Sequence, residues 1–231
     1  MWAIVPLKAL EAAKQRLAGR LSASERRDLM LAMARDVLAA LCQSKRLTGI
    51  LIVSRTPEAN ALAQAFSVER FAESPDADLP AALTQASTHL MRHFGARGVM
   101  VVPADIPLVR ADEVDAILAG HERAARDNRA VTVVPDAEKT GTNCLVLSPP
   151  DVIGFIFDGK SFRPHVDAAY ARGLAPRIVP SRGFALDIDT VDDLRHLLDV
   201  GGASQTGTFL EKSGIAARLT AIDKGEPEAT P

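Results

Sequence analysis

Three carboxylates, three cations and a small group of hydroxyl and amide side chains carry the chemical interest of this chain. Asp105 stands in Val101-Val102-Pro103-Ala104-Asp105-Ile106-Pro107-Leu108, just past a short valine-rich run. Asp187 and Asp189 alternate within Leu186-Asp187-Ile188-Asp189-Thr190. Like-charged carboxylates so close together are unfavourable unless a cation joins them. An all-oxygen donor set suits Mg²⁺, which usually keeps some waters and substrate phosphates among its ligands. Asp105, Asp187 and Asp189 would form such a site if their two segments converge. Lys8, Lys14 and Arg16 follow directly on an N-terminal apolar strand, where dinucleotide-type folds meet phosphates. Their loop is not glycine-rich, so side-chain cations rather than backbone N–H groups would have to hold the anion. Gly141-Thr142-Asn143, with Ser161 further on, would offer a turn of hydroxyl and amide groups to the carboxylate or phosphate of a second substrate.

Each group also has a plainer reading. Asp105 could cap the helix that starts near Asp112, although Asp112 can cap that helix itself. The three cations could be a solvated basic surface. Thr142 and Asn143 are ordinary turn residues. Asp189 or Thr190 can cap the next helix, which leaves Asp187 without a structural task. His165 reads as a surface histidine, and His89, His93, His121 and His196 lie within helices without metal-ligand spacing. No Ser/His/Asp or Cys/His arrangement supports a covalent nucleophile.

The elements that must position these groups alternate between strand and helix. Strands are expected at 3–6, 50–53, 68–71, 98–102, 131–135, 144–147, 177–179 and 184–186. Runs rich in valine and bounded by turn residues suit strands buried on both faces of a parallel sheet. In such sheets, ligands bind outside the carboxyl ends of the strands, which is where Asp105 falls. Ser22 and Glu25 have capping-box spacing ahead of a helix reaching about Leu41, with Leu29, Met33, Val37 and Leu41 on its inner face. Further helices are expected from Pro57, over Asp78 to Phe94 with Leu79, Leu83, Leu90 and Phe94 inward, over Asp112 to Ala125, over Arg163 to Arg172, and from Thr190 to Leu198. The alternation predicts an α/β fold: a mainly parallel sheet with helices on both faces. The expected division is one domain over 1–200 and a C-terminal extension over 201–231, with a short amphipathic helix around Phe209 to Leu219 and a frayed end.

Composition narrows the function classes. The 231 residues are 47% hydrophobic, enough for one well-buried domain. A net charge of −2 gives no basic field for nucleic acid or an acidic membrane surface. Aromatic residues make up 4%, too few for a base-stacking platform. Cys42 and Cys144 have neither framework nor metal spacing and are expected to be buried small residues, which suits a reducing cytoplasm. The N-terminus lacks the pattern of a signal peptide, and no run is long enough to span a bilayer.

Taken together and in order, Val5-Pro6-Leu7-Lys8, Ala13-Lys14-Gln15-Arg16-Leu17, Ala104-Asp105-Ile106-Pro107-Leu108, Gly141-Thr142-Asn143-Cys144-Leu145, Ser161-Phe162-Arg163-Pro164-His165 and Leu186-Asp187-Ile188-Asp189-Thr190 resemble the CofC/FbiD family. These guanylyltransferases serve biosynthesis of the deazaflavin coenzyme F-420. The resemblance spans about residues 2–199. It implies a three-layer nucleotidyltransferase fold of the glycosyltransferase-A-like, Rossmann-like type, with a mainly parallel mixed sheet. It also implies transfer of GMP from GTP to a phosphorylated three-carbon acid (2-phospho-L-lactate, phosphoenolpyruvate or 3-phospho-D-glycerate) with Mg²⁺ and release of pyrophosphate. The product would pass to a downstream transferase that loads the deazaflavin, and a cytoplasmic homodimer fits the resemblance. On this pattern Asp105, Asp187 and Asp189 hold the metal. Lys8, Lys14 and Arg16 meet the GTP phosphates, and Thr142, Asn143 and Ser161 hold the acceptor. Asp158 stands where some members have glycine, which adds a carboxylate near an anionic acceptor. The rival readings are a related nucleotidyltransferase of molybdopterin or sugar-phosphate type, usually marked by a glycine-rich first loop, and a non-catalytic nucleotide-binding domain.

Overall fold

A computed structural model of the chain describes residues 1–7, 14–200 and 204–223, with the side chains of 221–223 left aside. Strands β1 (Trp2–Pro6), β2 (Gly49–Val53), β3 (Glu69–Phe71) and β4 (Val99–Val101) are mutually parallel where they pair. Strands β5 (Ala130–Pro135), β6 (Thr142–Ser148) and β7 (Arg177–Ile178) complete a seven-stranded sheet of order β3-β2-β1-β4-β6-β5-β7. β6 runs antiparallel to both of its neighbours, β4 and β5, while β7 returns parallel to β5. The sheet is therefore mixed and mainly parallel, as expected.

Alternate side chains along the strands feed two separate cores. Ala3, Val5, Ile50, Ile52, Met100 and Val146 pack on one face beneath α1 (Ala23–Cys42), α2 (Glu58–Phe66) and α4 (Ala111–Ala124). Ile4, Leu51, Val99, Val101, Val133 and Leu145 pack on the other beneath α3 (Leu79–Phe94) and α5 (Phe162–Ala171). Both faces of the strands are covered, which explains why they read as continuous apolar runs.

The helix boundaries follow local chemistry. Ser22 Oγ accepts from Glu25 N–H while the Glu25 carboxylate accepts from Ser22 N–H, closing the expected capping box of α1. Leu29, Met33, Val37 and Leu41 are all buried. Asp78 caps α3 by accepting from Ala81 N–H at 2.8 Å. α4 departs from expectation. Its cap position is Arg110, and Asp112 sits inside the first turn, paired with Arg110 Nε at 3.0 Å. Phe94 is 39% exposed rather than inward, its ring lying on Trp2 at the start of β1 with centroids 4.6 Å apart. Cys144 is buried as expected, but Cys42 is exposed at the last turn of α1.

Two further corrections concern the C-terminal third. The strand expected at 184–186 is the short helix α6 (Arg182–Ala185), with Leu186 extended after it. The single helix expected around Phe209 to Leu219 is two, α8 (Gln205–Lys212) and α9 (Ile215–Asp223), following α7 (Val191–Val200). The break is Gly214, whose φ of +73° is the left-handed conformation that ends helices. Asp36 on α1 accepts from the backbone N–H groups of Gln205 and Thr206, each at 2.8 Å, and thereby caps α8. Leu210, Ile215 and Leu219 are buried in the core of the α1 face. The end expected to fray, 224–231, lies outside the described residues. Among the described residues no helix is long and apolar enough to cross a membrane.

Candidate active site

A cleft of ≈ 770 Å³ opens along the carboxyl ends of the parallel strands. Asp105, Asp187, Asp189, Lys14 and Asn143 all line it. Four different chain segments deliver them.

Asp105 follows β4 and is fixed through its backbone. Ile188 N–H donates to Asp105 C=O at 3.1 Å, so the loop after β4 and the loop after α6 are stitched together between the acidic residues. Lys14 bridges the two loops on their polar side. Its Nζ lies 2.6 Å from Asp105 Oδ2 and 2.8 Å from Asp189 Oδ1. The Lys14 side chain is only 5% exposed. Burial alone would lower its pKa, but Asp105 and then Asp189 outweigh burial and hold the ammonium above its ordinary value. Lys14 adopts a left-handed backbone, φ 51° and ψ 47°, just before a 3-10 turn over Gln15–Leu17. A non-glycine residue held there is strained by on the order of 1 kcal/mol, which its ion pairs offset. Arg16 reaches Asp189 Oδ2 at 3.6 Å from a largely exposed position. Lys8 lies outside the described residues.

Among the described residues no cation pairs with Asp187. Asn143 Nδ2 approaches its Oδ1 at 3.4 Å and donates to Phe184 C=O at 2.8 Å. Burial pushes the Asp187 carboxyl above the ordinary range, and the neighbouring charges of Asp105 and Asp189 add to this against the Asn143 contact. Thr190 and Asp193 cap α7 reciprocally, Asp193 Oδ2 accepting from Thr190 N–H at 2.6 Å and Thr190 Oγ1 from Asp193 N–H at 3.3 Å. Asp189 N–H also donates to Asp193 Oδ2, at 2.9 Å, so the 187–189 loop is tied to the start of α7.

The approach of the 187–189 loop is set from behind by Glu113 on α4. Its Oε1 accepts from Ser181 Oγ at 2.6 Å and Gly183 N–H at 2.9 Å. Gly183 is pressed against this carboxylate and Leu108 C=O, with no space for a Cβ. That packing turns 182–185 into a helix where the apolar pattern suggested a strand.

Thr142 and Asn143 are not turn residues. They open β6, and both are buried. The register slips here: Val134 pairs with Cys144 but Pro135 pairs with Thr142, which leaves Asn143 as the extra residue of a β-bulge. Cys144 and Val146 face the α1 side, so strict alternation would send Asn143 to the α5 side and Thr142 to the α1 side. The bulge reverses both. Asn143 meets Phe184 and Asp187, and Thr142 Oγ1 meets His165 Nδ1 on α5 at 3.0 Å. The turn itself is Asp136 to Gly141, where Asp136 carboxylate oxygens accept from Thr140 and Gly141 N–H at 2.8 and 2.6 Å.

His165 is fully buried, not a surface residue. Its Nε2 accepts from Ile156 N–H at 2.9 Å, so in the neutral ring the proton is on Nδ1 and is donated to Thr142 Oγ1. Burial lowers its pKa to about 4. Its backbone N–H donates to Ser161 C=O at 3.0 Å, so His165 joins Thr142 to the start of α5. Ser161 is buried there without a capping bond from its side chain. The Asp158 carboxylate accepts from Lys160 N–H at 3.0 Å and closes the turn at Gly159, φ +88°. The buried role of His165 depends on its contact with β6 and the bulge on the pairing of β5 with β6, neither of which a local sequence pattern shows.

Among the described residues no group of three or more His, Cys, Asp or Glu side chains is placed to hold a metal ion as it stands. The donor chemistry nonetheless fits a hard cation. The Lys14 ammonium already bridges Asp105 and Asp189, and Asp187 beside them lacks a compensating charge.

Residues 1–228 match the family described as "Guanylyl transferase CofC like". A phosphoenolpyruvate guanylyltransferase of Sphaerobacter thermophilus is 35% identical over 212 residues, covering 92% of this chain and 98% of the relative. A 2-phospho-L-lactate guanylyltransferase of Methanothermobacter thermautotrophicus is 31% identical over 210 residues, covering 91% and 89%. Among solved structures, one from Desulfovibrio desulfuricans G20, described as a nucleotide-diphospho-sugar transferase, superposes with a TM-score of 0.74 at 18% identity over 94% of this chain and 96% of that one. At that identity the likeness speaks for the fold, which is the nucleotidyltransferase architecture.

Proposed function

The chain belongs to the CofC-like guanylyl transferases, and we propose that it transfers GMP from GTP to the phosphate of a three-carbon phospho-acid and releases pyrophosphate. The acceptor is phosphoenolpyruvate, 2-phospho-L-lactate or 3-phospho-D-glycerate. The first two are the acids in the names of its relatives.

The observation that most supports this reading is the convergence of Asp105 and Asp189 on one ammonium beside Asp187, which no cation among the described residues pairs. A nucleotidyl transfer needs concentrated charge control and little else. The acceptor phosphate oxygen is already ionised at neutral pH. It attacks the α-phosphorus of GTP, the bond to the bridging oxygen of the β-phosphate breaks, and pyrophosphate leaves with that electron pair. No strong general base is required, in keeping with a His165 that is buried and neutral. Positioning and neutralisation carry the rate. Lys14 and Arg16, with Lys8, would offset charge on the triphosphate and the departing pyrophosphate. Asn143 would orient Asp187, and Thr142, Asn143 and Ser161 would border the acceptor. Asp105, Asp187 and Asp189 would hold Mg²⁺, which when bound supplies Lewis-acid neutralisation at the reacting phosphate. The same reading includes a homodimeric cytoplasmic enzyme feeding a transferase that loads a deazaflavin. It treats residues 1–200 as the nucleotidyltransferase domain and 201–231 as an extension.

The test is pyrophosphate release from GTP and Mg²⁺ with each of the three acids, using ATP, CTP and UTP as controls. Release with GTP and one acid is expected. Absence of release with every acid overturns the reading.

A further inference from the structure

Glu73 stands two residues past β3, at the far end of the cleft that Asp105 and Asp187 line. Its side chain is 12% exposed. Oε1 lies 3.2 Å from Arg55 Nε, and Arg55 is held in turn by a hydrogen bond to Pro75 C=O. Oε2 is buried and has no hydrogen-bond partner among the described residues. A buried carboxylate oxygen without a donor is costly, and few such atoms persist in folded proteins without a reason. The apolar side chains of Val53, Ala77, Leu79 and Ala82 line the same cleft, with Arg55 and Asp78 among them. Turning this carboxylate so that Oε2 faces the cleft would set an unmet acceptor at the end of the apolar wall, which fits a flat ligand whose faces are apolar and whose edge brings N–H donors.

The position relative to the acidic site suits a nucleotide. In the order β3-β2-β1-β4, the strands preceding Glu73 and Asp105 are three places apart, or about 14 Å at ~4.8 Å per strand. That is comparable with the reach of a nucleotide from its phosphate to the far edge of its base. Guanine alone among the common bases sets two donors side by side on that edge, N1–H and N2–H₂. Adenine would turn the lone pair of its N1 toward the carboxylate, and cytosine that of its N3.

We propose that Glu73 is a specificity-determining residue that reads guanine, its carboxylate accepting from N1–H and N2–H₂, with Arg55 fixing its orientation. This rests on the guanylyltransferase reading and gives the choice of base a physical cause. A site built around a substrate donor discriminates strongly against an analogue lacking it, because its acceptor is then left unpaired.

The experiment measures equilibrium binding of GTP, ITP and ATP, and kcat/KM for pyrophosphate release, in the wild-type protein and in Glu73→Gln. ITP lacks only the N2 amino group. The wild type should prefer GTP over ITP by on the order of 10-fold or more, and over ATP by on the order of 10³-fold or more. Glu73→Gln keeps the shape but loses the paired acceptors, so both ratios should fall toward unity while thermal unfolding stays unchanged. Unchanged ratios in Glu73→Gln, or equal binding of GTP and ITP by the wild type, overturn the inference. The wild-type comparison decides it even if the variant fails to fold. Absence of turnover with every acid would remove the guanylyltransferase reading, while the binding ratios would still decide the role of Glu73.

Discussion

The Lys14 ammonium lies 2.6 Å from Asp105 Oδ2, joining residues 91 positions apart in the chain, and the same ammonium holds Asp189 at 2.8 Å. Lys14→Ala leaves two carboxylates facing each other without their shared cation. With both carboxylates partly solvated, the expected loss of stability is about 1–3 kcal/mol, seen as a lower urea midpoint. Turnover should fall by on the order of 10²–10³-fold, since a preorganised cation at a developing charge is lost. Because the folded pKa is raised above the ordinary lysine value of 10.5, this stabilisation is complete at neutral pH. It disappears only as pH climbs above that value and through the folded pKa. Wild-type turnover in Lys14→Ala would rule out its role.

Asp187 gives the opposite sign for stability. Its carboxylate is buried near Asp105 with no paired cation among the described residues, so Asp187→Asn should leave the metal-free protein as stable as the wild type or more so. Mg²⁺ should raise the Tm of the wild type and not that of Asp187→Asn, whose turnover should be lower by orders of magnitude. An equal Mg²⁺ shift in both proteins would remove Asp187 from the metal set.

Gly183 tests positioning at a distance. A Cβ there would strike the Glu113 carboxylate and Leu108 C=O, so Gly183→Ala must displace the segment leading to Asp187. A destabilisation of about 1–3 kcal/mol is expected from this overpacking, together with reduced kcat, although Gly183 does not line the cleft. Full activity in a folded Gly183→Ala would show that the loop does not depend on this contact.

Two buried histidines govern acid stability. His121, between Thr132 Oγ1 and Ser148 Oγ at 3.0 Å each, and His165 are both lowered to about 4, mainly by burial. Unfolding restores the ordinary value of 6.5, so the unfolded chain binds more protons between the two values. Stability is then complete above about pH 6.5 and falls as pH drops toward 4, by on the order of 2 kcal/mol per histidine at pH 5. Urea denaturation at pH 7 and pH 5 measures the loss, and imidazole NMR should show neither ring titrating above pH 5. A ring titrating near 6.5 contradicts its burial as a neutral group.

Sequence reading succeeded where local chemistry decides. Ser22 and Glu25 needed only each other to mark the start of α1, and the valines before Asp105 needed only burial on two faces. It also named Asp105, Asp187, Asp189, Lys14 and Asn143, which the fold gathers at one cleft. It failed where a distant contact overrides the local pattern. Phe184-Ala185-Leu186 is short and apolar, ambiguous by periodicity, and the pressure of Glu113 on Gly183 settles it as helix and extension. His165 looks unremarkable in sequence because its partners Thr142 and Ile156 come from elsewhere. Asn143 could be named, but the bulge that aims it could not, since a register slip belongs to a pair of strands. Glu73 carried no motif at all, and its unmet oxygen beside the cleft marks it.

The reversed direction of β6 has a consequence for how such a catalyst can diversify. The parallel strands offer their exits to the cleft, whereas β6 offers its entrance, with the Asp136–Gly141 hairpin leading straight into Thr142 and Asn143. On the proposed assignment, one side of the reaction is served by loops buried among crossover helices and the other by a hairpin. Hairpins accept insertion and exchange readily. A lineage could therefore retune which small acid it accepts by editing this one turn, while the machinery for the triphosphate is inherited intact.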